Sequence, residues 1–320
     1  MSEEETRYFS KDFEWEELRE EVEKDLSLRY HLLPIESSIP FSSSSSPVAN
    51  QSEAWKSFHN RHSTGRFFKE RRYLLKEFPE LLSCHESSKV LEVGCGNGST
   101  VLPILRGKQS IAVYACDCSK GALDRAKEMI DAADGILIKD RFHPFVCDFS
   151  LNGFPKWLVC DSCRRGSLQK YHDFPSGGNK SNEMELNELS SNRDHCCIGV
   201  LDFITLIFTL ASLPFQKMPT ALEDCISVLK PGGLLLFRDY GLYDMTMLRF
   251  PLEQRVGFRE YTRSGGTLSC FFCLDTVRDL FVGAGFVVLE LEYCCIKSVN
   301  RRNGKQMRRV WVHGKFQKPL

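Results

Sequence analysis

The sequence has no long apolar run and no excess of charge of either sign. No stretch reaches the ~18 apolar residues of a membrane-spanning helix, so we expect no membrane segment. Lysine and arginine together number 42, and so do aspartate and glutamate, which gives a net charge of zero. Global charge therefore argues neither for nor against a nucleic-acid partner, and any basic surface must be local.

A leader pattern and a disulfide framework are also missing. The first five residues include three glutamates and no apolar core follows them, which disfavours a signal or transit peptide. Several of the 14 cysteines lie inside apolar runs that read as strands or helices, unlike the cysteines of a small secreted scaffold. We therefore expect a reducing compartment and predict a cytoplasmic location, with a nuclear one left open.

No triphosphate-binding loop of the form G-x-x-x-x-G-K-[S/T] is present, but another glycine-rich turn is. Residues 90–100 read VLEVGCGNGST, an apolar strand followed by three alternating glycines and a Ser/Thr pair that can cap a helix. Glycine permits a sharp turn with positive φ and close approach to a ligand, and the N–H groups of a following helix point at that ligand. About twenty residues on, the next strand-like run ends in Asp117, where a carboxylate suits ribose hydroxyls.

Residues 91–98 together with Asp117 resemble the cofactor corner of class I S-adenosylmethionine-dependent methyltransferases. The alternative is an ordinary glycine-rich turn in another α/β protein. The resemblance implies a Rossmann-like α/β fold, with a seven-stranded, mostly parallel sheet and a C-terminal antiparallel hairpin. In such a fold, an acid at the position of Asp148 receives the adenine amino group, and Phe149 can pack on the ring.

Composition divides the chain into three parts. Residues 1–50 read as a flexible, acidic and Ser-rich arm that contains one amphipathic pattern beginning at Trp15. Residues 51–84 interleave aromatic and basic side chains, either as a helix packed on the main domain or as a lid with a basic surface for RNA phosphates. Residues 85–320 form the methyltransferase domain.

An insertion at 156–199 interrupts this domain. It is rich in Ser, Asn and Gly and contains Cys160, Cys163, His195, Cys196 and Cys197. These residue types can form a tetrahedral zinc site, but the second half lacks a clean C-x-x-C pair. The alternative is a flexible insertion with incidental thiols, and we predict no metal site.

The later strands supply a second informative stretch. Residues 201–208 form an apolar run typical of a central parallel strand, without the Asn/Asp-Pro-Pro-Tyr ending of many amino-group methyltransferases. Residues 237–244, FRDYGLYD, begin at the end of the next strand, on the ligand-binding edge of open α/β sheets. An internal Arg–Asp pair that stiffens a loop is the alternative. An Asn-Gly turn near residue 303 predicts a C-terminal hairpin.

These blocks are similar to the tRNA 3-methylcytidine methyltransferases of the methyltransferase-like group. The matching stretches are FRDYGLYD at 237–244, MLRF at 247–250, GTLS at 266–269, Phe271-Phe272, Trp55-Lys56-x-Phe58 and FFKER at 67–71. The resemblance covers residue 51 to the C-terminus, apart from the insertion. It implies S-adenosylmethionine as cofactor, the anticodon stem-loop of tRNA as substrate and, as for some relatives, an aminoacyl-tRNA synthetase as helper.

The resemblance also implies roles for individual residues. The cofactor would be held by Trp55, His59, Gly94, Gly96, Asp117, Asp148, Phe149 and Ile207. Three consecutive residues would face the target base as the catalytic group: Arg238, Asp239 and Tyr240. Relatives often have tyrosine where this chain has His59.

The chemistry agrees with such a set of residues. N3 of a neutral cytosine has an in-plane lone pair and no proton to lose, so alignment and electrostatics suffice for methyl transfer. Asp239 near the cationic product ring is our hypothesis for charge stabilisation. The alternatives are a methyltransferase acting on a protein or small molecule, and a non-catalytic partner that keeps the fold.

Overall fold

The computed structural model describes residues 11–33, 51–62, 70–133, 136–158, 200–299, 304 and 306–320. The serine-rich stretch at 42–46, the Phe67–Phe68 pair and the cysteine/histidine cluster at 160–197 lie outside these residues. Whether the insertion binds zinc therefore stays open. Within the described part, no group of His, Cys, Asp and Glu is arranged to hold a metal ion, and no helix is long and apolar enough to span a bilayer.

The helices and strands follow the alternating order expected of an α/β domain. In the described residues the α-helices are α1 (Trp15–Lys24), α2 (Gln51–Arg61), α3 (Leu74–Glu77), α4 (Glu80–Ser83), α5 (Val101–Gly107), α6 (Lys120–Asp131), α7 (Ile136–Lys139), α8 (Phe149–Asn152), α9 (Met218–Val228) and α10 (Leu274–Gly283). The strands are β1 (Lys89–Val93), β2 (Ala112–Asp117), β3 (Phe142–Val146), β4 (Leu201–Ile207), β5 (Leu229–Tyr240), β6 (Arg255–Gly257), β7 (Glu260–Thr262), β8 (Leu268–Cys270), β9 (Val287–Val299) and β10 (Gln306–Gln317).

Seven strands form one sheet in the order β3-β2-β1-β4-β5-β10-β9. Strands β1 to β5 pair in parallel, whereas β10 runs antiparallel to both β5 and β9. The predicted fold, including the C-terminal hairpin, is confirmed. Its central strands are buried on both faces, as in Val90 and Leu91 of β1, because helices cover the two sides of a parallel sheet.

A second, three-stranded sheet, β6-β7-β8, lies beyond β5. Sequence analysis did not predict it, because strands of three residues are too short to show an alternating pattern. It shares a hydrophobic cluster with α1, in which Leu18 and Val22 of the helix pack with Tyr261 of β7 and Phe271 after β8.

Helix α1 is therefore part of the folded domain. The ring of Trp15 stacks on Tyr243 at 5.6 Å and on Tyr293 at 4.6 Å, and its indole N–H donates to the carbonyl of Leu242 at 3.1 Å. The amphipathic pattern is confirmed as a helix, but a flexible arm is the wrong description of residues 11–33. Apolar side chains on one helix face need a partner surface, and the second half of the chain supplies it.

The predicted Ser/Thr cap after the glycine turn is also wrong. Thr100 occupies the N-cap position of α5 with helical backbone angles, and its side chain makes no capping hydrogen bond. Its hydroxyl instead accepts a hydrogen bond from Nη1 of Arg71 at 3.2 Å. Ser119, in contrast, does cap a helix, because its hydroxyl accepts the N–H of Ala122 at the start of α6.

Candidate active site

A cavity of about 380 Å³ lies at the carboxyl edge of the large sheet, a volume typical of small-molecule sites. Its lining includes residues at or just beyond the ends of β1 to β5: 94–97, Asp117, Asp148, Ile207 and Tyr240. Helix α2 borders the same cavity through Trp55 and His59. The fold thus brings together residues from distant parts of the chain where open α/β sheets bind ligands.

The turn after β1 needs glycine because it lies directly against the segment that follows β4. Gly94 and Gly96 have φ values of +67° and +53°, which side chains rarely tolerate. A Cβ atom on Gly94 would lie 2.6 Å from Cγ2 of Thr209. The Thr209 hydroxyl donates to the carbonyl of Val93 at 3.0 Å, which ties the turn to the segment after β4.

Asp117 is a buried carboxylate at the tip of β2. It accepts the N–H of Gly96 at 3.0 Å and the N–H of Ser119 at 2.8 Å. An ionised carboxylate can accept about four hydrogen bonds, so acceptor capacity remains for a ligand hydroxyl. Asp117 therefore both fixes the glycine turn and presents the acceptor that a ribose diol requires.

His59 lies beside this carboxylate. Its Nε2 is 4.0 Å from Oδ1 of Asp117, and both side chains are buried. Burial lowers the pKa of His59, while the Asp117 charge opposes that shift. Its ring lies 6.1 Å from that of Trp55, and Arg125 of α6 donates to its backbone carbonyl at 3.1 Å. Helix α2 is thereby held over the cofactor corner.

Asp148 uses most of its acceptor capacity within the protein. Its Oδ1 accepts the N–H of Ser150 at 3.2 Å and the Ser150 hydroxyl at 2.7 Å. Its Oδ2 accepts the hydroxyl of Ser52 from α2. With about four acceptor positions on a carboxylate, room remains for one further donor such as an exocyclic amine. The neighbouring Phe149 is buried and stacks on Phe154 at 5.9 Å.

The predicted catalytic group separates in the structure. Tyr240 lines the cavity, but Arg238 and Asp239 are not among the described residues that line it. Arg238 is 2% exposed, and its Nη1 lies 2.5 Å from Oε1 of Glu77. The internal Arg–Asp pair considered as an alternative does not form among the described residues, because Arg238 pairs with Glu77 and Asp239 accepts backbone N–H groups. A direct role of Arg238 and Asp239 at the base stays a prediction.

Asp239 connects two segments of the cavity wall. It is completely buried and accepts the N–H of Ala211 at 2.9 Å and its neighbour Tyr240's N–H at 2.8 Å. Burial raises its pKa to about 7, and the backbone hydrogen bonds partly oppose that shift. Both Ala211 and Tyr240 line the cavity, so this carboxyl group fixes their relative position.

Sequence analysis missed several residues at the far end of the cavity. They are Arg71, Phe208, Arg263, Arg309 and Trp311. Phe208 directly follows β4, and that position was a usable signal because strand ends meet at the ligand edge. Trp311 carried no comparable signal, because only the antiparallel pairing of β10 with β5 sets it opposite Tyr240.

A model of the methyltransferase domain family matches residues 67–291. Among solved structures, a SAM-dependent methyltransferase from Anabaena variabilis aligns with a TM-score of 0.53 at 13% identity, over 88% of this chain and 100% of that chain. At this identity the likeness shows the fold alone. Together with the family match, the fold and the cofactor corner define a class I S-adenosylmethionine-dependent methyltransferase.

Two curated relatives narrow the class. The tRNA N(3)-cytidine methyltransferase METTL6 of Homo sapiens is 32% identical over 269 residues, which cover 83% of this chain and 79% of the relative. The tRNA N(3)-methylcytidine methyltransferase Mettl2 of Drosophila melanogaster is 33% identical over 276 residues, which cover 83% of this chain and 71% of the relative. The chain belongs to the tRNA N(3)-cytidine methyltransferase family, as the sequence blocks predicted.

The described residues fit the cofactor of this class. Asp117 keeps acceptors for ribose hydroxyls, Asp148 keeps one for the adenine amine, and residues 94–97 of the glycine turn border the same space. A Cβ atom on Gly94 would collide with Thr209, so this position of the turn requires glycine. S-adenosylmethionine supplies the methyl group when it is bound there.

Proposed function

We propose that this protein methylates N3 of a cytidine in the anticodon loop of tRNA. The proposal is supported by membership of a family whose relatives carry this activity in their names. The single structural observation behind it is the composition of the cavity. Carboxylates line its cofactor side. Aromatic side chains at the ends of β4 and β5 and from β10 line its other side, together with three arginines.

The residues at the site suit a reaction without proton abstraction. N3 of cytosine carries a lone pair and no proton, and methylation leaves the positive charge on the ring. His59 is the one histidine among the described lining residues, and it lies beside Asp117 on the cofactor side. The protein's task is then alignment of the base with the methyl group in a site that excludes water.

The base must leave its stack to reach the cavity. N3 is occupied in Watson–Crick pairs, and a loop nucleotide is unpaired, so extrusion costs little. We propose that Asp239 contributes by positioning, because its two backbone hydrogen bonds set the distance between Tyr240 and the turn at 210–212.

The test is transfer of labelled methyl groups to total tRNA, followed by nucleoside analysis of the product. We expect label in 3-methylcytidine, and its loss in the Asp117→Ala variant. Label that enters protein but not RNA would contradict the proposal and favour a protein substrate. If the protein binds the cofactor but neither RNA nor protein becomes labelled, a non-catalytic role is favoured.

Two further expectations depend on this activity. We propose a cytoplasmic site of action, with a nuclear one left open, because the cysteines indicate a reducing compartment. We also propose a helper of the aminoacyl-tRNA synthetase class, as the resemblance implies. Adding the purified synthetase for each candidate tRNA to the methylation assay tests the second point. A rate that is unchanged by every synthetase would contradict it.

A further inference from the structure

Three aromatic side chains form one wall of the cavity on the side away from Asp117. This aromatic wall consists of Phe208, Tyr240 and Trp311. The ring of Phe208 lies 5.1 Å from that of Tyr240 and 6.1 Å from that of Trp311. Tyr240 and Trp311 are direct neighbours in the pairing of β5 with β10.

Sheet order separates this wall from the cofactor residues. Asp117 ends β2 and Tyr240 ends β5, with β1 and β4 between them. Neighbouring strands lie about 4.8 Å apart, so these two tips are roughly 14 Å apart. A nucleoside held by Asp117 and Asp148 over β2 and β3 leaves the wall free for a second molecule.

Phe208 is held in a strained conformation. Its φ is +55°, which is a genuine outlier for a bulky side chain, and such strain costs about 1–3 kcal/mol and clusters at functional sites. Its N–H donates to the carbonyl of Arg238 at 2.7 Å, which extends the β4–β5 pairing by one residue. The ring of Phe208 is therefore held in the cavity despite this backbone strain.

Trp311 is supported by a buried charge and has an unused donor. The guanidinium carbon of Arg238 lies 4.3 Å from its ring centroid, and Glu77 fixes that guanidinium. The indole nitrogen is buried without a hydrogen-bond acceptor among the described residues. A buried donor without an acceptor costs about 1–3 kcal/mol, and an oxygen on a bound base would remove this cost.

Arginines surround the wall, and no acidic residue among the described lining lies on this side of the cavity. Arg71, Arg263 and Arg309 lie 5.3, 5.9 and 5.3 Å from the rings of Phe208, Tyr240 and Trp311 respectively. Asp117 and Asp148 are the acidic residues among the described lining, and both belong to the cofactor side. A polyanion therefore has cationic partners on this side of the cavity.

Arg263 is placed to bind a phosphate, whereas Arg309 already has a carboxylate partner. Arg309 is engaged by the buried Asp244 at 2.8 Å. Arg263 donates from Nε to the hydroxyl of Ser269 at 2.9 Å, and no carboxylate of the described residues lies within 4.0 Å of it. Its remaining N–H donors suit a phosphate of the RNA backbone.

We propose that the aromatic wall is the subsite for the extruded pyrimidine base, and that Arg263 binds an adjacent phosphate. This inference rests on the proposed function and adds the residues that hold the base. Stacking needs only a π-face and is common to single-stranded RNA recognition. The ring that becomes cationic on methylation then lies against aromatic faces, which attract a cation, and no carboxylate is required there.

The first test measures binding of two RNA hairpins to protein saturated with S-adenosylhomocysteine. One hairpin has the target cytidine in its loop, and the other has an abasic site at that position. Wild-type protein should bind the cytidine hairpin about 5- to 150-fold more tightly, the range for one base–aromatic stacking contact. Phe208→Leu should reduce this discrimination to less than about 3-fold, whereas Phe208→Tyr should preserve it.

The design separates this inference from the proposed function. Leucine and tyrosine at position 208 face the same backbone strain, and affinity for S-adenosylhomocysteine reports whether each variant is folded. Full discrimination in Phe208→Leu, or none in wild-type protein, overturns the subsite even when wild-type protein methylates tRNA. Absence of tRNA methylation by wild-type protein, both alone and with each candidate synthetase, overturns the function itself.

The second test addresses Arg263 through salt dependence. Loss of one phosphate contact should lower the slope of log affinity against log salt by about 0.7 in Arg263→Gln. Arg278→Gln, which removes an exposed cation from α10, should leave the slope unchanged. An unchanged slope in Arg263→Gln overturns the phosphate contact.

Discussion

Glu77 and Arg238 form a buried ion pair that joins α3 to the centre of the sheet. Oε1 of Glu77 lies 2.5 Å from Nη1 of Arg238, and the two side chains are 0% and 2% exposed. The same Oε1 lies 3.0 Å from Nδ1 of His313 on β10. Because Arg238 also packs against Trp311 at 4.3 Å, the pair supports the cavity wall from behind.

Removing the Glu77 charge should lower the free energy of unfolding. Glu77→Gln leaves the guanidinium of Arg238 buried without its counterion, and breaking such a pair costs about 3–5 kcal/mol. Urea denaturation should show this loss in the free energy of unfolding. Glu80→Gln, whose carboxylate is 29% exposed and pairs with Lys315, should cost clearly less, and equal losses in the two variants would contradict the prediction.

His313 should make stability depend on pH on the alkaline side. Burial lowers its pKa, but hydrogen bonds to Glu290 and Glu77 outweigh burial and raise the pKa above the usual 6.5. The raised pKa stabilises the folded state fully below pH 6.5, and this contribution is lost as pH rises through the folded pKa. His313→Gln should therefore flatten that part of the curve of unfolding free energy against pH.

Glu290 should produce the opposite dependence at acid pH. The hydrogen bond from His313, together with Lys315, lowers its pKa to about 2 from the usual 4.5. Its contribution to the free energy of unfolding is present above pH 4.5 and is lost as pH falls towards 2. The contribution is small because the side chain is 42% exposed and solvent screens its charge. Glu290→Gln should remove this loss of unfolding free energy at acid pH. If the loss is unchanged in the variant, it belongs to other carboxylates.

Asp239 should control turnover and not cofactor binding. Asp239→Asn places an NH₂ group against one of the backbone N–H donors of Ala211 and Tyr240, so one of these hydrogen bonds is lost. We expect kcat to fall on the order of 10- to 100-fold, which corresponds to the loss of one charged hydrogen bond. The dissociation constant of S-adenosylhomocysteine should stay within about 2-fold. Wild-type turnover in this variant would exclude the positioning role.

The pH profile of turnover offers a further check on Asp239. Its pKa of about 7 means that it is protonated, and loses one acceptor, as pH falls below 7. Wild-type kcat should therefore decline below pH 7, and this decline should be absent in Asp239→Asn. A decline that persists in the variant would belong to another group.

Gln51 should couple helix α2, which covers the cofactor corner, to the side of the cavity where we propose that RNA binds. Its amide donates to the carbonyl of Gly266 at 3.3 Å and accepts the N–H of Leu268 at 2.9 Å, while the adjacent Ser52 donates to Asp148. Gln51→Ala removes two hydrogen bonds of about 0.5–1.5 kcal/mol each. We expect tRNA to raise cofactor affinity in wild-type protein and to raise it several-fold less in the variant.

Calorimetry of S-adenosylhomocysteine binding with and without tRNA measures this coupling. By thermodynamic linkage, the cofactor must change tRNA affinity by the same factor, which provides an internal check. Glu53→Ala, on an exposed position of the same helix, is the matched control. Equal coupling in Gln51→Ala and wild-type protein would contradict the prediction.

Local sequence determined the cofactor corner. The turn at 94–98 follows β1, Asp117 ends β2 and Asp148 lies two residues after β3, and parallel strands bring their ends to one edge. Short-range patterns therefore sufficed for these residues, for the C-terminal hairpin and for helix α1.

Tertiary structure decided which of the neighbouring polar residues reach the cavity. Residues 238–240 are consecutive, yet Arg238 pairs with Glu77, 161 positions away, Asp239 holds the backbone of Ala211, and Tyr240 alone lines the cavity. Likewise, only strand pairing places Trp311 beside Tyr240. Contacts at such sequence separations depend on packing and burial, which a single sequence does not encode in any local period.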